Sequence, residues 1–219
     1  MPILQGPLRG KKWIVGSSNH GCWLGSYEHD KQINFRRALC PGYVVYDIGA
    51  HVGFYTLLAS MGVGTIGCVY SFEPLPRNLA YLRRHIELNL AENCVVIDAA
   101  VAASDGLTRF DASRPPSMGW LSAGGNLQVR IVSIDSLVAS QQILPPSVMK
   151  IDVEGAEFAV LQGGVETIDE CRPTIFLALH GPDARRDCIR FLQTRNYKLE
   201  SLTAESIDLT DELLARPPG

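Results

Sequence analysis

The stretch from Val44 to Phe54, Val-Val-Tyr-Asp-Ile-Gly-Ala-His-Val-Gly-Phe, constrains this chain more than any other. Val44, Val45 and Tyr46 are β-formers in a short apolar run, which predicts a buried strand. Asp47 closes the run, Gly49 and Gly53 follow, and Phe54, Leu57, Leu58 and Met61 then fall at helical spacing. A strand, a glycine turn and a helix in that order put the turn at the carboxyl end of a strand, where open α/β sheets bind ligands. The free N–H groups of the helix's first turn suit a polar or anionic ligand part. The first expectation is a nucleotide-like cofactor.

The rest of the chain repeats the unit. Glu28 to Leu39 has a helical apolar face through Ile33, Phe35, Ala38 and Leu39, and Pro41-Gly42 stops it before the strand. Ile66 to Phe72 and Val95 to Ala100 predict a second and a third strand, the second running into Glu73-Pro74 and the third carrying Asp98. A helix starting at Pro76 lies between them, marked by Leu79, Leu82, Ile86 and Leu90. Val129 to Val138 reads as a strand running into a short helix. Val148 to Asp152 and Thr174 to Leu179 predict two further core strands, each followed by a helix. Tyr197 to Leu202 and Ser206 to Leu209 alternate weakly and would pair as a terminal hairpin, with Arg216 to Gly219 a loose tail.

Strands alternating with helices imply right-handed crossovers and an α/β fold, a mostly parallel sheet with helices on both faces. We expect one domain over 1–219: an N-terminal arm and helix at 1–40, a cofactor-binding core at 41–180, and a C-terminal helix and hairpin at 181–219. Trp13 and Trp23 sit among turn formers in an irregular arm or lid. Ala103 to Gln128 is weakly patterned apart from a short strand expected at Leu107 to Phe110, and reads either as an insertion that helps form the substrate pocket or as a disordered surface loop.

Bulk properties narrow the partners. The chain has 219 residues, 46% of them hydrophobic, enough for one good-sized core. A net charge of −3 without blocks of like charge disfavours duplex nucleic acid or an anionic membrane as the main partner. Six scattered cysteines without a C-x-x-C pair read as reduced thiols. There is no apolar stretch of the kind a signal peptide or membrane span needs, so the expected location is cytoplasmic.

Four strand ends carry Asp47, Glu73, Asp98 and Asp152. One such acid is usually a helix cap or Asx-turn, but four along one sheet edge meet in space. Glu73 follows Asp47 by 26 residues, at the end of the second strand, where a carboxylate accepts hydrogen bonds from ribose hydroxyls. A dinucleotide fold would use that acid too, but it needs G-x-G-x-x-G, and here His51 stands where the second glycine belongs. Asp47, just before the turn, would repel a pyrophosphate. A cationic adenosine cofactor, S-adenosylmethionine, fits better.

Three stretches carry a resemblance: Tyr46-Asp-Ile-Gly-Ala-His-Val-Gly-Phe-Tyr-Thr56, Tyr70-Ser-Phe-Glu-Pro-Leu-Pro76 and Lys150-Ile-Asp-Val-Glu-Gly-Ala-Glu157. Together they strongly resemble the FkbM family of S-adenosylmethionine-dependent methyltransferases, over about Gly25 to His180. The resemblance implies a class I methyltransferase (Rossmann-like) fold of about seven strands, with an antiparallel final strand. It also implies methyl transfer to a hydroxyl of a sugar or other small natural product. By position, Asp47, Gly49, His51 and Gly53 would form the methionine-side turn, Glu73 with Pro74 would hold the ribose, and Asp98 with Ala99 would flank the adenine. Glu28, in a Gly-x-Tyr-Glu stretch, would touch the cofactor. The family usually has Asn where this chain has His51, and an acid two places before His180, where this chain has Ala178.

Methyl transfer is an in-line displacement that benefits from positioning and from a nearby base. Asp152, Glu154 and His180 are the catalytic candidates, and the absent acid at 178 would leave His180 less oriented and less basic. The same three side chains suit a hard divalent cation, but no tight ligand cluster is visible and a metal is not favoured. Lys150 is expected to pair with a carboxylate. The alternatives to a small-molecule O-methyltransferase are a nucleic-acid methyltransferase and a catalytically silent cofactor-binding module.

Overall fold

The computed structural model describes residues 1–110, 127–203 and 205–218. An N-terminal arm, bridged between Pro2 and Lys12, leads into α1 (His20–Leu24) and α2 (His29–Ala38). Then come β1 (Val44–Ile48), α3 (Phe54–Val63), β2 (Cys68–Phe72), α4 (Pro76–Leu88) and β3 (Cys94–Ile97). The middle contains β4 (Ala100–Val101), β5 (Gly106–Phe110), β6 (Leu127–Val132) and α5 (Ile134–Ala139). The last part contains β7 (Val148–Ile151), α6 (Glu157–Gln162), α7 (Val165–Cys171), β8 (Thr174–Ala178), α8 (Pro182–Thr194), β9 (Lys198–Ser201) and β10 (Glu212–Arg216).

Seven strands form one sheet in the order β3-β2-β1-β7-β8-β10-β9. Pairing is parallel from β3 through β8, and β10 runs antiparallel to both its neighbours. From β1 the chain winds outward to β2 and β3, then returns to β7 on the other flank. That reversal opens a crevice beyond the carboxyl ends of β1 and β7.

The alternation of β1 explains its two faces. Tyr46 and Ile48 join one buried cluster with Phe72, Met149, Ile151, Leu161 and Leu192. Val45 points the other way, into a cluster with Phe35, Leu57, Leu58, Val69 and Phe176. Asp47 shares the Val45 face and is fully buried beneath α3.

The structure differs from the sequence expectations in three places. The arm is part of the core rather than a lid: Trp13 is 1% exposed and stacks on His85 at 3.9 Å between ring centroids. His85 pins the arm to the glycine turn, its Nδ1 lying 2.7 Å from the Val52 carbonyl while Nε2 accepts the Ile14 N–H at 3.0 Å. The third strand stops at Ile97, because Ala100–Val101 pairs with β6 in a separate three-stranded sheet of order β4-β6-β5. Leu107 to Phe110 is a strand, as expected: Gly106–Phe110 pairs antiparallel with Leu127–Val132, from Gly106↔Ile131 to Phe110↔Leu127, and residues 111–126 lie outside the described residues. Finally, Ser206 to Leu209 is a turn, and the strand that closes the sheet is Glu212–Arg216. All six cysteines are free. Among the described residues no helix is long and apolar enough to cross a membrane.

Candidate active site

A cleft of about 290 Å³ lies at the carboxyl edge of the sheet. Nine of the residues singled out from sequence line it: Glu28, Gly49, His51, Glu73, Pro74, Ala99, Asp152, Glu154 and His180. They come from the loop before α2 and from the ends of β1, β2, β3, β7 and β8.

The turn after β1 needs its glycines. Gly49 has φ +78°, and a Cβ there would lie 1.9 Å from the Asp152 carbonyl oxygen. β1 and β7 can approach this closely only over a bare Cα. His51 also takes a left-handed conformation, φ +52°, which Asn, Asp and His tolerate better than other side chains. Burial, together with the Lys150 and Arg77 charges, pulls its imidazole down to about 4, so His51 is neutral at pH 7.

Glu73 is held in place by the backbone. Its Oε1 accepts the Leu75 N–H at 3.0 Å and the Asn78 amide at 3.1 Å, and its Oε2 accepts the His51 N–H at 2.9 Å. Oε2 thus keeps one acceptor position. Burial lifts the carboxyl to about 7, against the pull of these donors.

Three predicted positions do not line the cleft. Asp47 lies beneath it: Oδ2 accepts the Thr56 hydroxyl at 2.7 Å and Oδ1 is 3.4 Å from the Lys150 ammonium. Its charge is answered inside the protein rather than by a ligand. Gly53 caps α3 at φ +94°, where a Cβ would meet the Leu82 side chain at 2.6 Å. Asp98 is half-exposed, pairs with Arg83 and borders a separate shallow hollow.

Two buried lysines organise the floor. Lys150 donates to the Gly49 carbonyl at 2.9 Å and lies 3.5 Å from Asp152. Lys31, on α2, donates to Glu212 at 2.7 Å and lies 3.3 Å from Glu28 and 3.9 Å from Asp152. The ring of Tyr55 sits 5.6 and 5.5 Å from the two ammonium groups, and its hydroxyl donates to Glu28 at 2.8 Å. Burial opposes charge on both lysines, but the surrounding carboxylates win and keep them protonated. Burial also opposes the Asp152 charge, yet Lys150, Lys31 and His180 hold that carboxyl at about 2.

His180 is not without an acidic partner. Its Nδ1 lies 2.6 Å from Oε1 of Glu157, which begins α6, while Nε2 is 3.7 Å from Glu154 and 3.9 Å from Asp152. The Glu157 contact, reinforced by Glu154 and Asp152 and opposed by burial, raises His180 to about 9. Burial raises Glu154 too. The expectation that Ala178 leaves His180 unsupported is overturned, because the acid arrives from a helix rather than from the same strand. Glu212, directly across from Ala178 in the sheet, adds another carboxylate to the cleft wall. Sequence reasoning misses Lys31, Glu157 and Glu212; of these only Glu157 lies in one of the three stretches that carry the family resemblance. No group of three or more His, Cys, Asp or Glu among the described residues is placed to hold a metal ion.

The strand order, the antiparallel last strand and the cleft beyond β1 and β7 define the class I methyltransferase fold. The family described as Methyltransferase FkbM domain matches residues 47–203, and the chain belongs to that family. It is 24% identical over 159 residues to the hexuronic acid methyltransferase AglP of Haloferax volcanii, covering 72% of this chain and 64% of that one. It is 27% identical over 164 residues to the 31-O-demethyl-FK506 methyltransferase FkbM of Streptomyces tacrolimicus, covering 60% and 62%. The chain thus spans somewhat less than two-thirds of the length of either relative. The crystal structure of methyltransferase FkbM from Methylobacillus flagellatus KT superposes with a TM-score of 0.58 at 18% identity, over 91% of this chain and 55% of that one.

Proposed function

We propose that the protein transfers the methyl group of S-adenosylmethionine to a hydroxyl of a sugar or another small natural product. The observation that carries this reading is the shared cleft: Glu73 at the end of β2 and His180 at the end of β8 line the same cavity. S-adenosylmethionine would supply an electrophilic methyl group on a sulfonium. Glu73, with an acceptor position left on Oε2, suits a ribose hydroxyl. Ala99 and Pro74 offer an apolar border for a base, and the carboxylates of Glu28 and Asp152 suit an ammonium group. His180 Nε2 would take the acceptor's proton as its oxygen attacks. No step is assigned to a metal. The relatives named for a hexuronic acid and for 31-O-demethyl-FK506 support a small hydroxylated acceptor. A nucleic-acid acceptor gains no support, since the two lysines beneath the cleft are buried and held by carboxylates, and no Lys or Arg among the described residues lines its surface.

Methyl-labelled S-adenosylmethionine incubated with a panel of monosaccharides, uronic acids and hydroxylated natural products tests the reading. Label in an O-methyl ether is the expected result. Cofactor binding with no label on any hydroxyl would favour the silent binding module. Above about pH 7, where Glu73 is ionised, replacing it with Gln removes the charged acceptor, and a hydrogen bond to a charged group is worth about 1.5–3 kcal/mol. The affinity for S-adenosylhomocysteine should then fall about ten- to hundredfold, as calorimetry would report.

A further inference from the structure

We propose that Glu157 is the positioning residue for His180: it fixes the imidazole with the proton on Nδ1 and leaves Nε2 facing the cleft as the proton acceptor. The pairing stands on geometry alone, while the role of Nε2 rests on the methyl-transfer reading.

Glu157 is fully buried, where an ionised carboxylate persists only with donors around it. Oε1 accepts the Gly155 N–H at 2.8 Å and faces His180 Nδ1 at 2.6 Å, whereas Oε2 has no hydrogen-bond partner among the described residues. With the carboxyl ionised, Oε1 has only lone pairs to offer, and the short contact then places the proton on Nδ1. The opposite nitrogen is then the one left to exchange a proton with a ligand. It points toward Asp152 and Glu154, both in the loop after β7 and both lining the cleft. These three acids face the imidazole. The Cys188 thiol of α8 also lies near Glu157; burial and then the Glu157 charge push it up to about 12, so it stays protonated. A carboxylate behind an imidazole holds its tautomer and raises its basicity, and here the first residue of α6 does both.

The dull alternative is a structural tie between α6 and the end of β8. The variant Glu157→Gln separates the two, because the amide oxygen can still accept from Nδ1–H while the charge is lost. Nitrogen-15 NMR of the imidazole reads tautomer and titration without any turnover. In the unmodified protein, neutral His180 should carry its proton on Nδ1 and titrate near 9. In E157Q the tautomer should persist and the titration should fall by at least about one pH unit, toward the ordinary histidine range. The rising limb of the pH–rate profile should move with it, while KM for the acceptor and affinity for S-adenosylhomocysteine hold.

A proton on Nε2 in the neutral form, or an unmoved titration in folded E157Q, would overturn the pairing. A titration that moves while the rate limb stays put would overturn the role of Nε2 and leave the pairing intact. If E157Q does not fold, the tautomer in the unmodified protein decides. Absence of turnover on every acceptor counts against the methyl-transfer reading only, because the NMR arm is independent of it.

Discussion

Replacing His180 with Asn is expected to lower turnover by about 10²–10⁴-fold, the usual worth of a positioned general base. That corresponds to roughly 2.7–5.5 kcal/mol of transition-state stabilisation. The loss should fall on kcat, because Glu73 and the turn after β1, not His180, are the proposed cofactor contacts. The pH dependence sharpens the expectation. His180 is held near 9 by Glu157, Glu154 and Asp152, so roughly one molecule in a hundred has a neutral imidazole at pH 7. A base must be unprotonated to act, so kcat/KM should climb about tenfold per pH unit until about pH 9, and the Asn variant should lose that slope. Stability should move the other way. The folded pKa is raised above the unfolded value, so the His180–Glu157 pair contributes fully below about pH 6.5 and its contribution fades as pH rises through about 9. A flat pH–rate profile in the unmodified enzyme would remove His180 as the base.

Replacing Lys150 with Met is expected to destabilise the fold by about 3–5 kcal/mol, a large share of the roughly 5–15 kcal/mol that holds a domain together. Lys150 is 3% exposed and answers Asp47, which is fully buried, and Asp152 across the cleft floor. Without the ammonium, Asp47 becomes an unpaired charge in the core and the Gly49 carbonyl loses its donor. The turn after β1 should loosen, so cofactor affinity should fall along with the denaturation midpoint. The double variant Asp47→Asn with Lys150→Met should recover part of the loss, since it removes both charges of one pair. Chemical denaturation of the four proteins reads this directly. Additive effects of the two substitutions would show that Asp47 and Lys150 do not act as a pair.

The fold was readable because its signals are local. β-formers followed by glycines and a helical period mark each strand–turn–helix unit, and acids at strand ends mark one edge of the sheet. The misreadings arise where a residue's partner lies far away in sequence. Asp47 was expected to attract a cation in the cleft, yet its cation is Lys150, brought beneath it by the parallel pairing of β1 with β7. Nothing in the sequence singles out Lys31, but α2 packs so that Lys31 is buried among three carboxylates. Glu157 reads as an acid in a helix's first turn, and only the meeting of α6 with the end of β8 makes it the partner of His180. Glu212 was out of reach because Glu-Leu-Leu-Ala-Arg favours helix, while weak alternation at Ser206 to Leu209 drew the strand too early. Cross-strand pairing with β8 then decides the state of 212–216, a tertiary effect that overrides local preference.

Calorimetric titration of the intact, folded protein with S-adenosylhomocysteine tests most directly whether the cleft between Glu73 and the turn after β1 is a cofactor site. Saturable binding at one site, weakened in Glu73→Gln, is the expected result. No heat and no thermal shift at any concentration up to the millimolar range would contradict it.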